Sequence, residues 1–275
     1  MFFLDPSFAT DENTMNKFKT TTVKLLDRVL PTGVKNSLFH LSFHIALDEF
    51  RRYAYDYSFA PNMEFGLAAM AGRGFAPKTI VDVGAFFGDW SRIAKRIWPQ
   101  CKLVMVEPNK ANQERLAGLA KKFNARLYCE LLGAEDGREV QFHVMGSGSS
   151  IMAERSALRR SVESRRLRRL DSLVGELEQP VLLKIDAQGY ELEILKGASG
   201  LLPAMEAVLL EISTIEINEG APLLHDVIAF MKSRGFITYD ILGIHRRPLD
   251  RALNQVDVIF IREHSNLIAD KRHFA

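Results

Sequence analysis

The spacing of apolar residues changes near residue 76 of this 275-residue chain. Before that point, in stretches such as 23–30, 39–50 and 65–70, apolar side chains recur at intervals of three and four, which predicts helices. After it, short runs rich in β-branched residues alternate with amphipathic stretches, as is typical of parallel strands joined by helices. We therefore expect a helical N-terminal extension over 1–75 and a doubly wound α/β domain over 76–275. The extension either covers one edge of the sheet or takes part in substrate binding or dimerisation.

Seven strands and four helices are predicted in the α/β domain, together with a hairpin-like strand at 140–145. The predicted strands are 79–84, 102–107, 126–132, 180–186, 207–212, 236–241 and 256–261. The predicted helices are 91–98, 111–123, 190–196 and 223–234. The last two strands are joined by a loop without a crossover helix, so we expect them to pair antiparallel.

The amino-acid composition limits the classes of protein to which the chain can belong. Hydrophobic residues make up 47% and charged residues 25% of the chain, which is typical of a packed globular protein. The net charge of +2 is too small to direct the whole protein to nucleic acid or to an anionic membrane. The two cysteines, Cys101 and Cys129, fall near predicted strands and do not suggest a disulfide framework. Because we find neither a signal-peptide pattern nor an apolar run of about eighteen residues, we expect a cytoplasmic protein without a membrane span.

The turn after the first strand is the first candidate for ligand binding. It contains Gly84, Ala85, Phe86 and Gly88 at the start of a predicted helix. Glycine lets the backbone approach a ligand closely, and the N–H groups at a helix start favour an anionic group. Such turns also occur for packing alone, and that alternative stays open. Phe86 takes the place of the second glycine of the dinucleotide fingerprint, so a pyrophosphate would fit poorly.

Acidic residues end two of the predicted strands. Glu107 follows the second strand, where Rossmann-like sheets place an acid that accepts hydrogen bonds from both ribose hydroxyls of a nucleotide-like ligand. The alternative is an acid that merely ends a strand in solvent. Lys184 and Asp186 lie two residues apart on the fourth core strand and so share a face at its carboxyl end, where open α/β sheets bind ligands. An ion pair that closes the strand end is the alternative there.

On these segments the chain resembles the FkbM-type methyltransferase family, whose sequences carry D-V-G-A-N-x-G, E-P and K-I-D-x-E-G-x-E-x-x-x-L-x-G-A motifs. The resemblance covers roughly 79–262. The matching residues are Asp82, Val83, Gly84, Ala85, Gly88, Glu107, Pro108, Lys184, Ile185, Asp186, Gly189, Glu191, Leu195, Gly197 and Ala198. Phe86 and Gln188 depart from it, because the family has Asn and Glu at these two positions.

The resemblance implies a class I, Rossmann-like methyltransferase fold, with a mostly parallel seven-stranded sheet and an antiparallel last strand. It implies S-adenosylmethionine as cofactor and a hydroxyl acceptor on a sugar or natural product. The cofactor contacts that it implies are Asp82, Gly84, Ala85, Phe86, Gly88, Glu107, Pro108, Leu132, Gly133 and Asp186. We assign no metal, because Gln188 is a poorer ligand than Glu for a hard cation. A nicotinamide-dependent oxidoreductase and a non-catalytic member that binds the cofactor remain alternatives.

Methyl transfer depends mainly on positioning, and it needs a general base only where the acceptor hydroxyl must lose its proton. Asp186 is the first candidate for this base or for orienting the acceptor, and Glu211, at the end of the next strand, is the second. Lys184 completes the expected catalytic set. Asp186 contacts only the cofactor in the alternative interpretation. His143 and His245 are further candidates for a base, with structural or exposed positions as the alternative.

An arginine-rich segment precedes the fourth core strand. Its arginines are Arg155, Arg159, Arg160, Arg165, Arg166, Arg168 and Arg169. It predicts either a solvated face or a binding surface for an anionic acceptor, and the absence of interleaved aromatic residues disfavours nucleic acid. The Gly/Ser run 146–150 is either an acceptor loop or an ordinary surface loop. The expected partner is a small-molecule or glycan acceptor, and a homo-oligomer remains open.

Overall fold

The computed structural model describes residues 61–154 and 160–273. The helices predicted before residue 61, and with them most of the N-terminal extension, lie outside the described residues, as do Arg155 and Arg159. The described part begins with α1 (Met63–Gly72), which confirms the predicted helix at 65–70. The side chain of Asn62 caps its first turn by accepting a hydrogen bond from the backbone N–H of Phe65 at 3.0 Å.

Seven strands form the main sheet. They are β1 (Thr79–Val83), β2 (Lys102–Val106), β3 (Arg126–Tyr128), β7 (Val181–Ile185), β8 (Met205–Ser213), β9 (Phe236–Arg246) and β10 (Leu253–Arg262). Their order across the sheet is β3-β2-β1-β7-β8-β10-β9. The first five are parallel to one another, whereas β10 pairs antiparallel with both β8 and β9. This arrangement confirms the predicted class I sheet with its antiparallel last strand.

Both faces of the sheet are covered, which explains why the central strands read as continuous apolar runs. Every residue of β1 and β7 is buried. Alternate side chains enter separate apolar clusters, so that Val81 and Leu183 face one layer of helices and Ile80 and Leu182 face the other. The helices that complete the two layers with α1 are α2 (Asp89–Ile97), α3 (Gln113–Phe123), α4 (Leu170–Val174), α5 (Glu191–Lys196) and α6 (Leu224–Ser233).

A small second sheet corrects two of the predictions. It consists of β4 (Leu131–Leu132), β5 (Glu139–Val144) and β6 (Ser161–Arg168), in the order β4-β6-β5. The strand predicted over 126–132 is therefore two strands, because the chain leaves the main sheet after Tyr128 and Leu131 pairs with Leu167 of β6. The arginine-rich segment contains a strand that the pattern did not predict, since its inward-facing positions are mostly charged rather than apolar.

The last two strands are longer than predicted. The strand predicted at 236–241 ends before Gly243. In the structure, β9 continues through Gly243 to Arg246. Gly243 leaves room for a neighbour, because a Cβ atom there would lie 2.0 Å from Oδ2 of Asp257 on β10. This extension carries His245 towards the carboxyl end of β8. No helix within 61–154 or 160–273 is long and apolar enough to cross a membrane.

Candidate active site

A cavity of about 320 Å³ lies where the carboxyl ends of the parallel strands meet, within the size range of small-ligand sites. Its lining includes Val83, Gly84, Phe86, Val106, Glu107, Pro108, Glu130, Leu131, Leu132, Phe142, Ser150, Ile151, Asp186, Gln188, Tyr190, Ile194, Glu211 and Gln255. Residues of both sheets and of the Gly/Ser run therefore enclose it. Ser150 of that run is buried and donates a hydrogen bond to the carbonyl oxygen of Gln188 at 2.9 Å.

The glycine turn connects the two halves of the cavity. Gly84 has a φ of +72°, and a Cβ atom there would lie 2.0 Å from the carbonyl oxygen of Asp186. Only glycine allows the ends of β1 and β7 to come this close. Gly88 serves packing instead, because its Cβ position would lie 2.3 Å from the side chain of Leu119 on α3. Gly88 and the buried Ala85 are not among the residues that line the cavity.

Glu107 lies at one end of the cavity as predicted, but its carboxylate is more heavily engaged than expected. Its oxygens accept hydrogen bonds from the backbone N–H groups of Phe86 at 2.8 Å and Asn109 at 2.9 Å, and from the Asn112 amide at 3.3 Å. Three of roughly four acceptor positions of an ionised carboxylate are therefore occupied. Burial raises the pKa of Glu107, while the three hydrogen bonds act in the opposite direction. One acceptor position remains for a ribose hydroxyl, rather than two.

Asp82 and Lys184 lie behind the cavity wall. Asp82 is fully buried and accepts a hydrogen bond from the hydroxyl of Ser91 at 2.6 Å. The Nζ of Lys184 lies 3.3 Å from Asp82 and 3.5 Å from Asp186, and it donates to the carbonyl oxygen of Gly84 at 3.0 Å. Burial alone would lower the pKa of Lys184, but the two carboxylates raise it, so the ammonium stays charged. Lys184 therefore forms ion pairs at the strand end, as in the alternative interpretation. It holds the glycine turn through the carbonyl oxygen of Gly84 and does not line the cavity.

Asp186 and Glu211 meet at the opposite end of the cavity through Gln188. The amide Nε2 of Gln188 donates to Asp186 at 2.9 Å and to Glu211 at 2.6 Å, and Gln188 holds a φ of +52° in the turn between them. Gln255 on β10 donates a further hydrogen bond to Glu211 at 2.9 Å. Two of the predicted catalytic residues are therefore brought together, and the third, Lys184, supports Asp186 from behind.

Negative charge accumulates around Glu211. Burial, followed by the charges of Asp186 and Asp257, raises the pKa of Glu211 to about 9. His245 lies 2.8 Å from Asp257, whose hydrogen bond raises the pKa of the imidazole. The Nε2 of His245 is 4.0 Å from the nearer oxygen of Glu211. Glu211 is therefore protonated at neutral pH, and sequence reasoning gave no indication of this because its neighbours come from four different strands or turns.

Glu191, the first residue of α5, holds the loop that carries Asp186 and Gln188. One of its oxygens accepts hydrogen bonds from the backbone N–H groups of Ala187 and Gly189, both at 3.0 Å. Burial raises the pKa of Glu191 to about 7 despite these bonds. The final Glu of the third motif therefore shapes the turn and does not line the cavity.

The remaining predicted residues divide between the wall and its support. Pro108 and Leu132 line the cavity. Gly133 lies behind it, where a Cβ atom would be 2.7 Å from Leu167 of β6. His143, on β5, is not among the lining residues, and its Nδ1 is buried without a hydrogen-bond partner.

The described arginines of the arginine-rich segment do not line the cavity. Arg165 points inward and donates to the carbonyl oxygen of Pro108 at 3.0 Å. Arg168 and Arg169 pair with Asp136 and Asp171, respectively. Arg160 donates to the carbonyl oxygen of Glu154 at 2.6 Å, and Arg166 is exposed. These contacts give no support to an anion-binding surface at the cavity.

The cavity fits the expected S-adenosyl ligand. Apolar side chains of Leu131, Leu132, Phe142 and Ile194 line the cavity together with Glu107, and a base and ribose need such an apolar wall and a hydrogen-bond acceptor. Carboxylates at the other end suit a cationic group. Glu211, His245 and Asp257 bring ligand-type atoms within 4.8 Å of one another. Hydrogen bonds join these groups to one another and to Gln188 and Gln255.

The chain is similar in sequence to one protein family and in fold to solved methyltransferase structures. Residues 82–238, more than half of the chain, match the family model described as Methyltransferase FkbM domain. No curated protein matches the chain in sequence. The fold is similar to an FkbM methyltransferase from Methylobacillus flagellatus, at 17% identity and a TM-score of 0.43, over 66% of this chain and 43% of that one. It is also similar to the magnesium protoporphyrin IX methyltransferase of Synechocystis, solved with bound S-adenosylmethionine, at 10% identity and a TM-score of 0.44, over 77% and 79% of the two chains. Similarity at this level carries no information about the acceptor.

Proposed function

Because the chain belongs to the FkbM methyltransferase family, and is thus an S-adenosylmethionine-dependent methyltransferase, we propose that it methylates a hydroxyl oxygen on a sugar or natural-product acceptor. The observation that carries this proposal is the carboxylate of Asp186, which is one-third exposed in the cavity wall, at the end opposite Glu107. A carboxylate in this position can accept the proton that a hydroxyl loses on methylation. When bound, S-adenosylmethionine supplies an activated methyl group on a sulfonium.

Asp186 is a better candidate for the base than Glu211. One oxygen of Asp186 accepts a hydrogen bond from Gln188, and the other lies 3.5 Å from the Nζ of Lys184. Glu211, with its pKa raised to about 9, holds a proton at neutral pH and cannot accept another. We propose that Asp186 takes the acceptor proton, that Lys184 fixes the Asp186 carboxylate and the Gly84 turn, and that Glu107 holds the ribose.

The acceptor proposed for this cavity is uncharged rather than anionic. Asp186, Glu211 and Glu130 line the cavity, and none of the arginines in 160–169 does. A carboxylate or phosphate on the acceptor would be repelled there. This observation favours neutral sugars and polyols over acidic acceptors.

Transfer of a labelled methyl group tests the proposal. The protein is incubated with methyl-labelled S-adenosylmethionine and a panel of neutral and acidic glycans and hydroxylated small molecules, and the product linkage is determined by mass spectrometry. We expect an O-methyl ether on a neutral acceptor. Asp186→Asn should abolish transfer, because the amide cannot accept the proton, and calorimetry should still detect cofactor binding through the unchanged Glu107 end. Label on nitrogen or carbon would contradict the hydroxyl proposal, and cofactor binding without transfer to any acceptor would favour the non-catalytic alternative.

A further inference from the structure

Three carboxylates, those of Asp186, Glu211 and Asp257, form what we call the acidic cluster. Asp257 lies directly opposite Glu211 in the β8–β10 pairing, and Asp186 reaches Glu211 through the shared amide of Gln188. The nearest fixed cation, Lys184, is shared between Asp186 and the fully buried Asp82, and His245 pairs with Asp257. The acidic cluster therefore contains more negative charge than the protein neutralises, and Glu211 accommodates the excess by holding a proton.

The sheet order places the acidic cluster where the charged part of the cofactor is expected. This step depends on the proposed function. From Glu107 after β2 to Glu211 on β8 there are three strand spacings of about 4.8 Å, or roughly 14 Å. A ligand with its ribose at Glu107 must extend the rest of its length across β1 and β7. Its sulfonium then approaches the cavity-lining carboxylates of Asp186 and Glu211.

We propose that the acidic cluster distinguishes S-adenosylmethionine from its demethylated product, because Glu211 releases its proton to solvent when the sulfonium binds and regains it when only the neutral thioether remains. Binding of the cation thus converts a carboxylic acid into a carboxylate, with one proton lost to the buffer. Loss of the methyl group removes the positive charge, and the reverse protonation then weakens the hold on the product. Glu211 and Gln188 are specificity-determining residues in this scheme, and Asp186 keeps its separate role.

The surroundings of Glu211 support this exchange. The charged or titratable groups that face it are Asp186, Lys184, Glu191, His245 and Asp257. Three of them are carboxyl groups, and Lys184 is shared between Asp82 and Asp186. A new positive charge within a few ångströms favours the ionised form of Glu211. The fixed amides of Gln188 and Gln255 can hydrogen-bond the carboxylate in its new state without rearrangement.

Calorimetric titration in buffers of different ionisation enthalpy measures this proton release directly. S-adenosylmethionine and S-adenosylhomocysteine are each titrated into the 275-residue protein near neutral pH. We expect about one proton released per S-adenosylmethionine bound and far fewer with the product. The ratio of the two affinities should increase by up to about tenfold per pH unit towards pH 9.

Two matched variants isolate the source of the proton. Glu211→Gln mimics the protonated acid, so it should abolish the difference in proton release and make the affinity ratio independent of pH. Glu206→Gln removes a carboxylate from the other end of β8, outside the cavity lining, and it should behave like the wild-type protein in this titration.

The possible results separate this inference from the proposed function. Equal proton release with both ligands in the wild-type protein would overturn the inference while leaving the cofactor site intact. If neither ligand binds, the cofactor assignment itself fails. The wild-type comparison alone decides between these results, so the test does not depend on whether Glu211→Gln folds.

Discussion

Glu107 and Glu211 occupy the two ends of one cavity and are both buried, but their charged and hydrogen-bonding neighbours differ. Burial raises the pKa of both side chains. Around Glu107 the neighbours are N–H donors, two of them from the backbone of the adjoining turns. Around Glu211 they are carboxyl groups and the amides of Gln188 and Gln255. Donors favour a carboxylate anion, whereas neighbouring anions favour the neutral acid.

The difference shows how one residue type serves two purposes in one site. A glutamate surrounded by donors is a fixed hydrogen-bond acceptor that holds an uncharged hydroxyl group. A glutamate surrounded by acids stores a proton and responds to positive charge. The first environment is built locally, within a few residues of Glu107, and the second requires β7, β8, β9 and β10 to come together.

The largest effect on stability and on cofactor binding is expected at Gly84, where the turn after β1 lies against the loop that carries Asp186. Gly84→Ala would place a Cβ atom 2.0 Å from the carbonyl oxygen of Asp186, in a backbone conformation with a φ of +72°. Overpacking and backbone strain together should cost about 4 kcal/mol of unfolding free energy. Binding of S-adenosylmethionine should be lost with it, because the turn and the Asp186 loop must separate. Urea denaturation and calorimetry measure the two effects.

Gly118→Ala is the matched control. Gly118 lies inside α3, and nothing lies within 4 Å of its Cβ position. Alanine is the better helix former, so this variant should gain about 1 kcal/mol. A Gly84→Ala protein as stable as the wild type would show that the contact between the two ends is not tight.

The pH dependence of stability sharpens the comparison. Between an unfolded pKa near 4.5 and a folded pKa of about 9 for Glu211, the folded protein holds a proton that the unfolded chain has lost. Stability is therefore highest below this window and falls as pH rises through it. Glu191, with a folded pKa of about 7, adds a decline in the same direction. So does His245, because a raised imidazole pKa gives stability that is lost as pH rises through the folded value.

We expect the unfolding free energy to fall by a few kcal/mol between about pH 5 and pH 9. Glu211→Gln should remove most of this slope, whereas Glu107→Gln should remove less of it. Urea denaturation at about pH 5, 7 and 9 measures all three proteins. A stability curve that rises over this interval in the wild type would contradict the protonated state assigned to Glu211.

Much of the Glu107 end was predictable from the sequence, because its determinants are local. The glycine turn is followed by β2 and then by Glu107, all within some thirty residues. The motif spacing identified Gly84, Glu107 and Pro108 as cavity residues. The same reasoning included Gly88 and Gly133, which support packing. A motif records which residues are required, but it does not distinguish a wall residue from the residue behind it.

The Glu211 end was predictable only in part. Asp186 and Glu211 were predicted at the ends of neighbouring strands, and the carboxyl ends of neighbouring parallel strands share an edge of the sheet. His245 could not be placed beside them, because the register between β9 and β10 is irregular and depends on Gly243. In the sequence, Gln188 was visible only as a departure from the family motif. Its hydrogen bonds to Asp186 and Glu211 were not predicted.

Substitution of the two glutamates should separate binding from discrimination. Glu107→Gln removes a buried charge-assisted acceptor, and the loss of about 2 kcal/mol corresponds to roughly 30-fold weaker binding. Because the ribose is common to both ligands, the affinities for S-adenosylmethionine and S-adenosylhomocysteine should fall equally. Calorimetry with both ligands measures this. A change in their ratio in Glu107→Gln would show that the two ends of the cavity are not independent.

The smallest effect is expected for Arg165, a residue of the arginine-rich segment that supports the Glu107 end of the cavity. Arg165 is only 13% exposed, and its guanidinium donates hydrogen bonds to the carbonyl oxygens of Pro108 and Cys129, at the ends of β2 and β3. Arg165→Gln should cost about 1 kcal/mol of stability and weaken cofactor binding slightly, since Pro108 lines the cavity. The neighbouring Arg166 is exposed on the opposite side of β6, so Arg166→Gln should change stability by less than about 0.5 kcal/mol. Urea denaturation distinguishes the pair, and equal effects of the two variants would mean that Arg165 contributes only surface charge.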